Sequence, residues 1–148
     1  MKRRILAMLA YVLPTFPLGY FWHLTFFAKY YKDLAVYRED MIIPFGIASM
    51  LIQGFVWAIV FEKMFAGKTV LKGAIGFASI AVPIAWTYMV LAVAAKHHMT
   101  SVSGYLLIET AFVFVHYAVV SPLIALVYAK SSRTASWLST TKLTCISE

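Results

Sequence analysis

Residues 105–129 read YLLIETAFVFVHYAVVSPLIALVYA, and Glu109 is the one charged side chain among them. Three more stretches of similar length hold at most one charge each: 5–27, 41–61 and 70–95. Crossing a hydrocarbon core about 30 Å thick takes roughly 20 helical residues, so each stretch is long enough. Lipid offers the backbone no hydrogen bonds, and a helix satisfies its own. We therefore predict an all-α membrane protein with four transmembrane helices.

The overall composition agrees with this prediction. The chain has 148 residues, of which 62% are hydrophobic and 13% charged, whereas soluble domains carry roughly 25% charged residues. This balance excludes a water-soluble enzyme, a disordered chain and a nucleic-acid-binding domain, although the net charge is +7. The one cysteine, Cys145, excludes an intramolecular disulfide and a cysteine-based metal cluster.

The basic residues near the ends of the stretches predict the orientation, since Lys and Arg concentrate on the cytoplasmic side. An even number of spans places both termini on one side of the membrane. That side receives most of the basic residues: Lys2, Arg3, Arg4, Lys63, Lys68, Lys72, Lys130, Arg133 and Lys142. The other side receives Lys29, Lys32, Arg38 and Lys96. We expect cytoplasmic termini, with loops 28–40 and 96–104 facing outward.

The connections between the stretches are short, which favours an up-down bundle of antiparallel neighbours. We expect a transmembrane domain over 1–130, a short interfacial helix over 28–37, and a flexible cytoplasmic tail over 131–148. The first stretch resembles the opening of a signal peptide. However, Pro14 and Pro17 interrupt it and no small-x-small cleavage site follows, so we expect it to be retained.

Polar groups inside the apolar stretches are the best candidates for a functional site, because lipid penalises them. The strongest are His23, Gln53, Glu109 and His116. Counting from the ends of the spans places His23 and Glu109 near the outer surface, and Gln53 and His116 near the midplane. Because the two residues of each pair lie at the same depth, we predict that His23 contacts Glu109 and that Gln53 contacts His116.

Helical spacing groups these residues with others on shared faces. Glu109 and His116 share a face with Tyr105 and Phe112, and Trp57 lies beside Gln53. We expect each span to turn one small or polar face inward. The faces of the first three spans are Phe16, Gly19 and His23; Gly46, Ser49, Gln53 and Val56; and Ser79, Pro83 and Trp86. A second copy of the chain could pack on Gly54 and Ala58.

Two interpretations of the inward groups remain open. They hold the bundle together through interhelical hydrogen bonds, or they line an outward-opening pocket for a small ligand, proton or cation. The pocket candidates are His23, Gln53, Glu109, His116, Trp57 and Trp86. A third alternative is that Glu109 simply reaches the lipid headgroups.

The sequence contains no known catalytic or metal-binding motif. His97-His98 lacks a second pair of ligands at fixed spacing, so we predict no metal site. A glycine-rich phosphate loop, a nucleophile elbow and a zinc-protease motif are all absent from the sequence. We assign no catalytic residue and no cofactor, and the sequence leans against an enzyme. A lipid, quinone or pigment pocket remains an alternative use of the aromatic residues.

The stretch 19–41 contains Gly19-x-x-x-His23-Leu24, Tyr30-Tyr31, Leu34 and Tyr37-Arg38-Glu39-Asp40-Met41. In this pattern the chain resembles a group of small four-span bacterial inner-membrane proteins of uncharacterised activity. The resemblance covers about a quarter of the chain. It implies a multi-pass protein of the bacterial inner membrane and no particular reaction.

These observations lead to two functional hypotheses. The first is a small-ligand-binding, lipid-binding or accessory membrane protein, whose partners are the bilayer and a small apolar ligand. The alternative is a proton- or cation-coupled small transporter that works as a homo-oligomer, because four spans enclose little volume.

Overall fold

The computed structural model describes residues 1–38 and 40–129. The expected cytoplasmic tail, 131–148, lies outside the described residues. The described chain is helical, with π-helical turns at Trp22–Phe26 and Trp86–Leu91. The α-helices, in chain order, are α1 (Lys2–Phe21), α2 (Ala28–Leu34), α3 (Ile43–Met64), α4 (Val70–Ala85), α5 (Ala92–Lys96) and α6 (Val102–Tyr128).

Four continuous helical segments are long and apolar enough to cross a membrane. The π-helical turns extend α1 to Phe26 and join α4 to α5, so the segments are Lys2–Phe26, Ile43–Met64, Val70–Lys96 and Val102–Tyr128. Large apolar side chains cover their outer surfaces, as a protein with lipid as its solvent requires. The prediction of an all-helical chain with four helices long and apolar enough to span a membrane is confirmed for the described residues, and these helices are consistent with a multi-pass membrane protein.

The other three segments pack around α6, which contributes more buried side chains than any other helix. Helix α1 lies between α3 and α6, and α4 packs against α6. Helices α1 and α3 contact each other in opposite sequence order. Arg4, early in α1, pairs with Glu62, late in α3, and Tyr11, later in α1, bonds Gln53, earlier in α3. At the Arg4 end, Tyr128 also donates a hydrogen bond to the carbonyl of Ala58.

Gly54 and Ala58 hold α3 close to its neighbours within one chain. A Cβ added at Gly54 would lie 3.1–3.3 Å from side-chain atoms of Tyr11, Val12 and Met8 on α1. Ala58 is fully buried. The expectation that these two residues form a contact between copies is wrong, because the chain's own helices cover them.

The expected inward faces of the first three spans are also partly wrong. Phe16, Gly46, Ser49, Val56, Ser79 and Pro83 are exposed on the outer surface. Small residues do line the interior, but they are Ala74, Ala81 and Ala85 on α4. Serine can be exposed without leaving its hydroxyl unsatisfied, because Ser79 donates to the carbonyl of Gly76 within its own helix.

The connection after α2 brings the chain back over the end of the bundle opposite to Arg4 and Glu62. Helix α2 ends earlier than the expected 28–37 because Ala35 adopts a left-handed backbone conformation, with φ of 54°. Thr100 then ties the two loops together, donating from its amide to Leu34 and from its hydroxyl to Asp33. This arrangement places Tyr37 above α1 and α6.

Candidate functional site

The carboxyl group of Glu109 is buried at the end of the bundle that carries α2. Its side chain is 4% exposed, and His23 on the first π-helical turn is 16% exposed. His23 Nε2 lies 3.2 Å from Glu109 Oε1, and the Tyr37 hydroxyl donates to the same oxygen over 3.3 Å. The structure thus brings together His23 and Glu109, whose similar depth predicts a contact, and adds Tyr37 from the loop after α2.

The contact between His23 Nε2 and Glu109 Oε1 requires a proton on one of these two atoms. His23 Nδ1 lies 2.9 Å from the carbonyl oxygen of Gly19, which can only accept, so Nδ1 carries a hydrogen. Nε2 can then bond the carboxyl group only if a proton lies on one of the two groups. The bonded pair therefore has no net charge, as either imidazolium with carboxylate or imidazole with carboxylic acid.

Aromatic rings surround this pair. The His23 ring centroid lies 4.4 Å from that of Phe112 and 4.8 Å from that of Tyr31, and Tyr37 stacks on Tyr31 at 5.2 Å. Partial removal of the hydroxyl from water, together with the nearby Glu109 carboxyl, raises the pKa of the Tyr37 phenol, although the residue keeps 41% of its surface exposed. The Tyr37 hydroxyl therefore stays protonated and remains a donor to Glu109.

The two π-helical turns flank the site. His23 lies in the first, and Tyr105 donates a hydrogen bond of 2.9 Å to the carbonyl of Met89 in the second. Each turn follows a proline inside the preceding helix, Pro17 and Pro83. Wider π-helical turns frequently occur at functional sites in helical proteins. Here they shape the Glu109 ends of two of the four long helical segments.

A second polar layer lies deeper, and it does not contain the expected pair of Gln53 with His116. The Thr15 hydroxyl donates to the Tyr11 carbonyl, so its oxygen accepts from His116 Nε2 at 2.9 Å. Gln53 instead accepts from the Tyr11 hydroxyl at 2.8 Å. The ring of Tyr11 packs against His116 and separates the two.

The ring of Phe112 lies between the Glu109 cluster and this deeper polar layer. Its ring stacks on His116 with a centroid distance of 5.7 Å and meets His23 edge-on from the other side. Among the described residues, the deeper polar layer therefore makes no direct polar contact with Glu109.

The two candidate tryptophans lie away from Glu109. Trp57 packs edge-on against Phe77, with ring centroids 5.4 Å apart. Trp86 donates from Nε1 to Thr110 at 2.9 Å. Both are packing residues of the bundle, although Trp57 and Gln53 also line a cavity of about 290 Å³ between α3 and α4.

Three cavities meet at His23 and Tyr37. The Glu109 cavity, about 470 Å³, also includes Glu109, Tyr88, Tyr105, Lys96 and His97. The α2 cavity, about 590 Å³, includes Tyr31, Lys32 and Arg38. The α1–α3 groove, about 370 Å³, includes Phe16, Gly19, Tyr20, Ile43 and Met50.

Comparison with known proteins adds no functional assignment. No protein-family model, curated protein or solved structure matches this chain. Function is therefore inferred from the geometry and chemistry of the site.

The sequence analysis missed the loop residues of the site. Tyr37 bonds Glu109, and the buried ring of Tyr31 packs against His23. The Tyr31 hydroxyl and the Trp22 indole N–H are buried and make no hydrogen bond with any described side chain or backbone group. The alternation of tyrosine with charge in the loop was a signal for these residues.

Proposed function

We propose that this multi-pass membrane protein binds an amphiphilic ligand, with the polar end at the His23–Glu109–Tyr37 cluster and the apolar end in the α1–α3 groove. The observation that carries the proposal is the meeting of the three cavities at His23 and Tyr37. Two of these cavities also contain Glu, Lys or Arg side chains, while the rest of the groove lining is almost entirely apolar. A ligand with one polar and one apolar end matches this arrangement.

The position of the groove supports access from the bilayer. Phe16 and Tyr20 on α1 and Ile43 on α3 line the groove and keep between two fifths and two thirds of their surface exposed. Such residues face lipid when the segments span a membrane. A lipid-like molecule could therefore enter sideways without passing through water. This access favours a membrane ligand over a small soluble one.

The proposal includes an orientation. The four spans form an up-down bundle with both termini in the cytoplasm, α2 at the outer interface, and the cluster at the outer end. The bias of basic residues supports it, as does the reverse order of contacts between α1 and α3. The sequence pattern over 19–41 further suggests a bacterial inner membrane.

Labelling of introduced cysteines tests the orientation. In a Cys145→Ser background, we expect a membrane-impermeant maleimide added to intact cells to label Lys29→Cys and to leave Lys68→Cys unlabelled. Permeabilised cells should label both variants. The opposite pattern in intact cells would reverse the proposed orientation.

Filling the groove tests ligand binding. Gly19 lines the groove, and a Cβ there would meet no atom within 4 Å, so Gly19→Phe adds a ring without displacing the backbone. We expect wild-type protein to retain a lipid after mild extraction and Gly19→Phe to lose most of it. Native mass spectrometry of the purified full chain measures the retained mass.

Gly46→Phe is the matched control. Gly46 has the same open surroundings but lies outside the described cavities. It should retain lipid as the wild type does. If wild type carries no lipid, or if both variants retain it equally, the groove is not a binding site and the polar cluster serves only to hold the helices together.

A further inference from the structure

We propose that the polar end of the ligand is zwitterionic, an ammonium group joined to a phosphate, with the ammonium innermost beside Glu109. This inference rests on the proposed function and specifies the headgroup. Its basis is the order of groups in the Glu109 cavity: the buried base has an accepting carboxyl oxygen and the ring of Tyr105, and the exposed rim has the basic side chains of Lys96 and His97.

The base of the cavity fits an ammonium group. Both hydrogen bonds to Glu109 from described residues end on Oε1, so Oε2 keeps its capacity to accept. The buried Tyr105 lines the same cavity, and the more exposed Tyr37 and Tyr88 line it as well. Aromatic faces attract organic cations, and a buried carboxyl group adds a hydrogen-bond acceptor. An anionic group placed here would meet an acceptor rather than a donor at Oε2.

The rim of the cavity fits an anion. Lys96 ends α5, and His97 follows it; both line the cavity and are exposed. In the adjoining α2 cavity, Lys32 and Arg38 repeat the same sign of charge near the surface. A simple organic cation would be repelled on entry, and a simple anion would find no partner at the base. A dipolar headgroup satisfies both ends.

Competition among three lipids with identical acyl chains tests the headgroup. The lipids are phosphatidylethanolamine, phosphatidylglycerol, which lacks the ammonium, and a diacyl trimethylammonium lipid, which lacks the phosphate. We expect native mass spectrometry of the full chain in detergent to show phosphatidylethanolamine retained about tenfold better than either of the others.

Two charge variants test which part of the cavity binds the ammonium and which part binds the phosphate. Glu109→Gln should remove the preference over phosphatidylglycerol, and Lys96→Glu should remove the preference over the trimethylammonium lipid. Lys96 is exposed, so its variant reports on binding even if Glu109→Gln folds poorly. The matched control is Lys29→Glu, because Lys29 lies on α2 but lines none of the described cavities. It should leave both preferences unchanged.

The outcomes separate the two proposals. Equal retention of phosphatidylethanolamine and phosphatidylglycerol by wild type would overturn the zwitterionic headgroup and leave the amphiphile site standing. Failure to retain any lipid would overturn both. Displacement of bound lipid by millimolar phosphoethanolamine would support the same chemistry from a water-soluble source, and resistance to it would support a membrane lipid.

Discussion

Replacement of His23 with alanine should lower the free energy of unfolding by about 3 kcal/mol, because it leaves the buried carboxyl group of Glu109 without its hydrogen-bonded ionisable partner. Glu109 would keep only the Tyr37 hydroxyl as a donor among the described residues. Few other positions in this bundle combine such burial with an ionisable group. Reversible unfolding of the full chain by SDS in mixed micelles measures the change.

A double-mutant cycle with Glu109→Gln separates the contact from general damage. We expect the double variant to be more stable than the sum of the single effects predicts, with a coupling of about 1–3 kcal/mol. His98→Ala is the control, since His98 is exposed and should change stability by less than about 0.5 kcal/mol. A coupling near zero would show that the two side chains do not form a pair in the membrane.

Replacement of Gly54 with leucine should destabilise the protein by about 2 kcal/mol or more, the usual result of adding bulk to a packed interior. Tyr11, Val12 and Met8 together surround the position where its Cβ would stand. The added side chain would push α1 away from α3. It would also strain the Tyr11–Gln53 hydrogen bond, which joins the same two helices.

Gly46→Leu provides the matched comparison on the same helix. Nothing lies within 4 Å of a Cβ at Gly46, and leucine has the better helix propensity, so this variant should be neutral or slightly stabilising. The same SDS titration measures both variants. Equal loss of stability in the two would mean that Gly54 is not a point of close helix approach.

Depth along a span was predictable from the sequence, and rotation about the helix axis was not. Counting residues placed His23 level with Glu109, and the two are in contact. The same method placed Gln53 level with His116, yet they bond Tyr11 and Thr15 instead. Depth follows from the constant rise of a helix, whereas a contact also depends on which way each side chain points.

The exposed faces of α3 and α4 show why rotation was hard to predict. In water, apolar residues mark the buried face of a helix. Lipid is as apolar as a protein interior, so this signal disappears. Ser49 and Ser79 were expected inside and lie on the surface. Ser49 accepts a hydrogen bond from Gln53, and Ser79 donates one within its own helix, which makes their exposure tolerable.

The sequence alone predicted four helices long and apolar enough to span a membrane and identified Glu109 and His23 as polar groups at similar depth, because hydropathy and length suffice for both. Tertiary structure alone decided that Tyr37 and Tyr31 complete the site. Their place depends on the left-handed turn at Ala35 and on Thr100, which binds one loop to the other across 67 residues of sequence. Such contacts between distant segments leave no periodic pattern in a sequence.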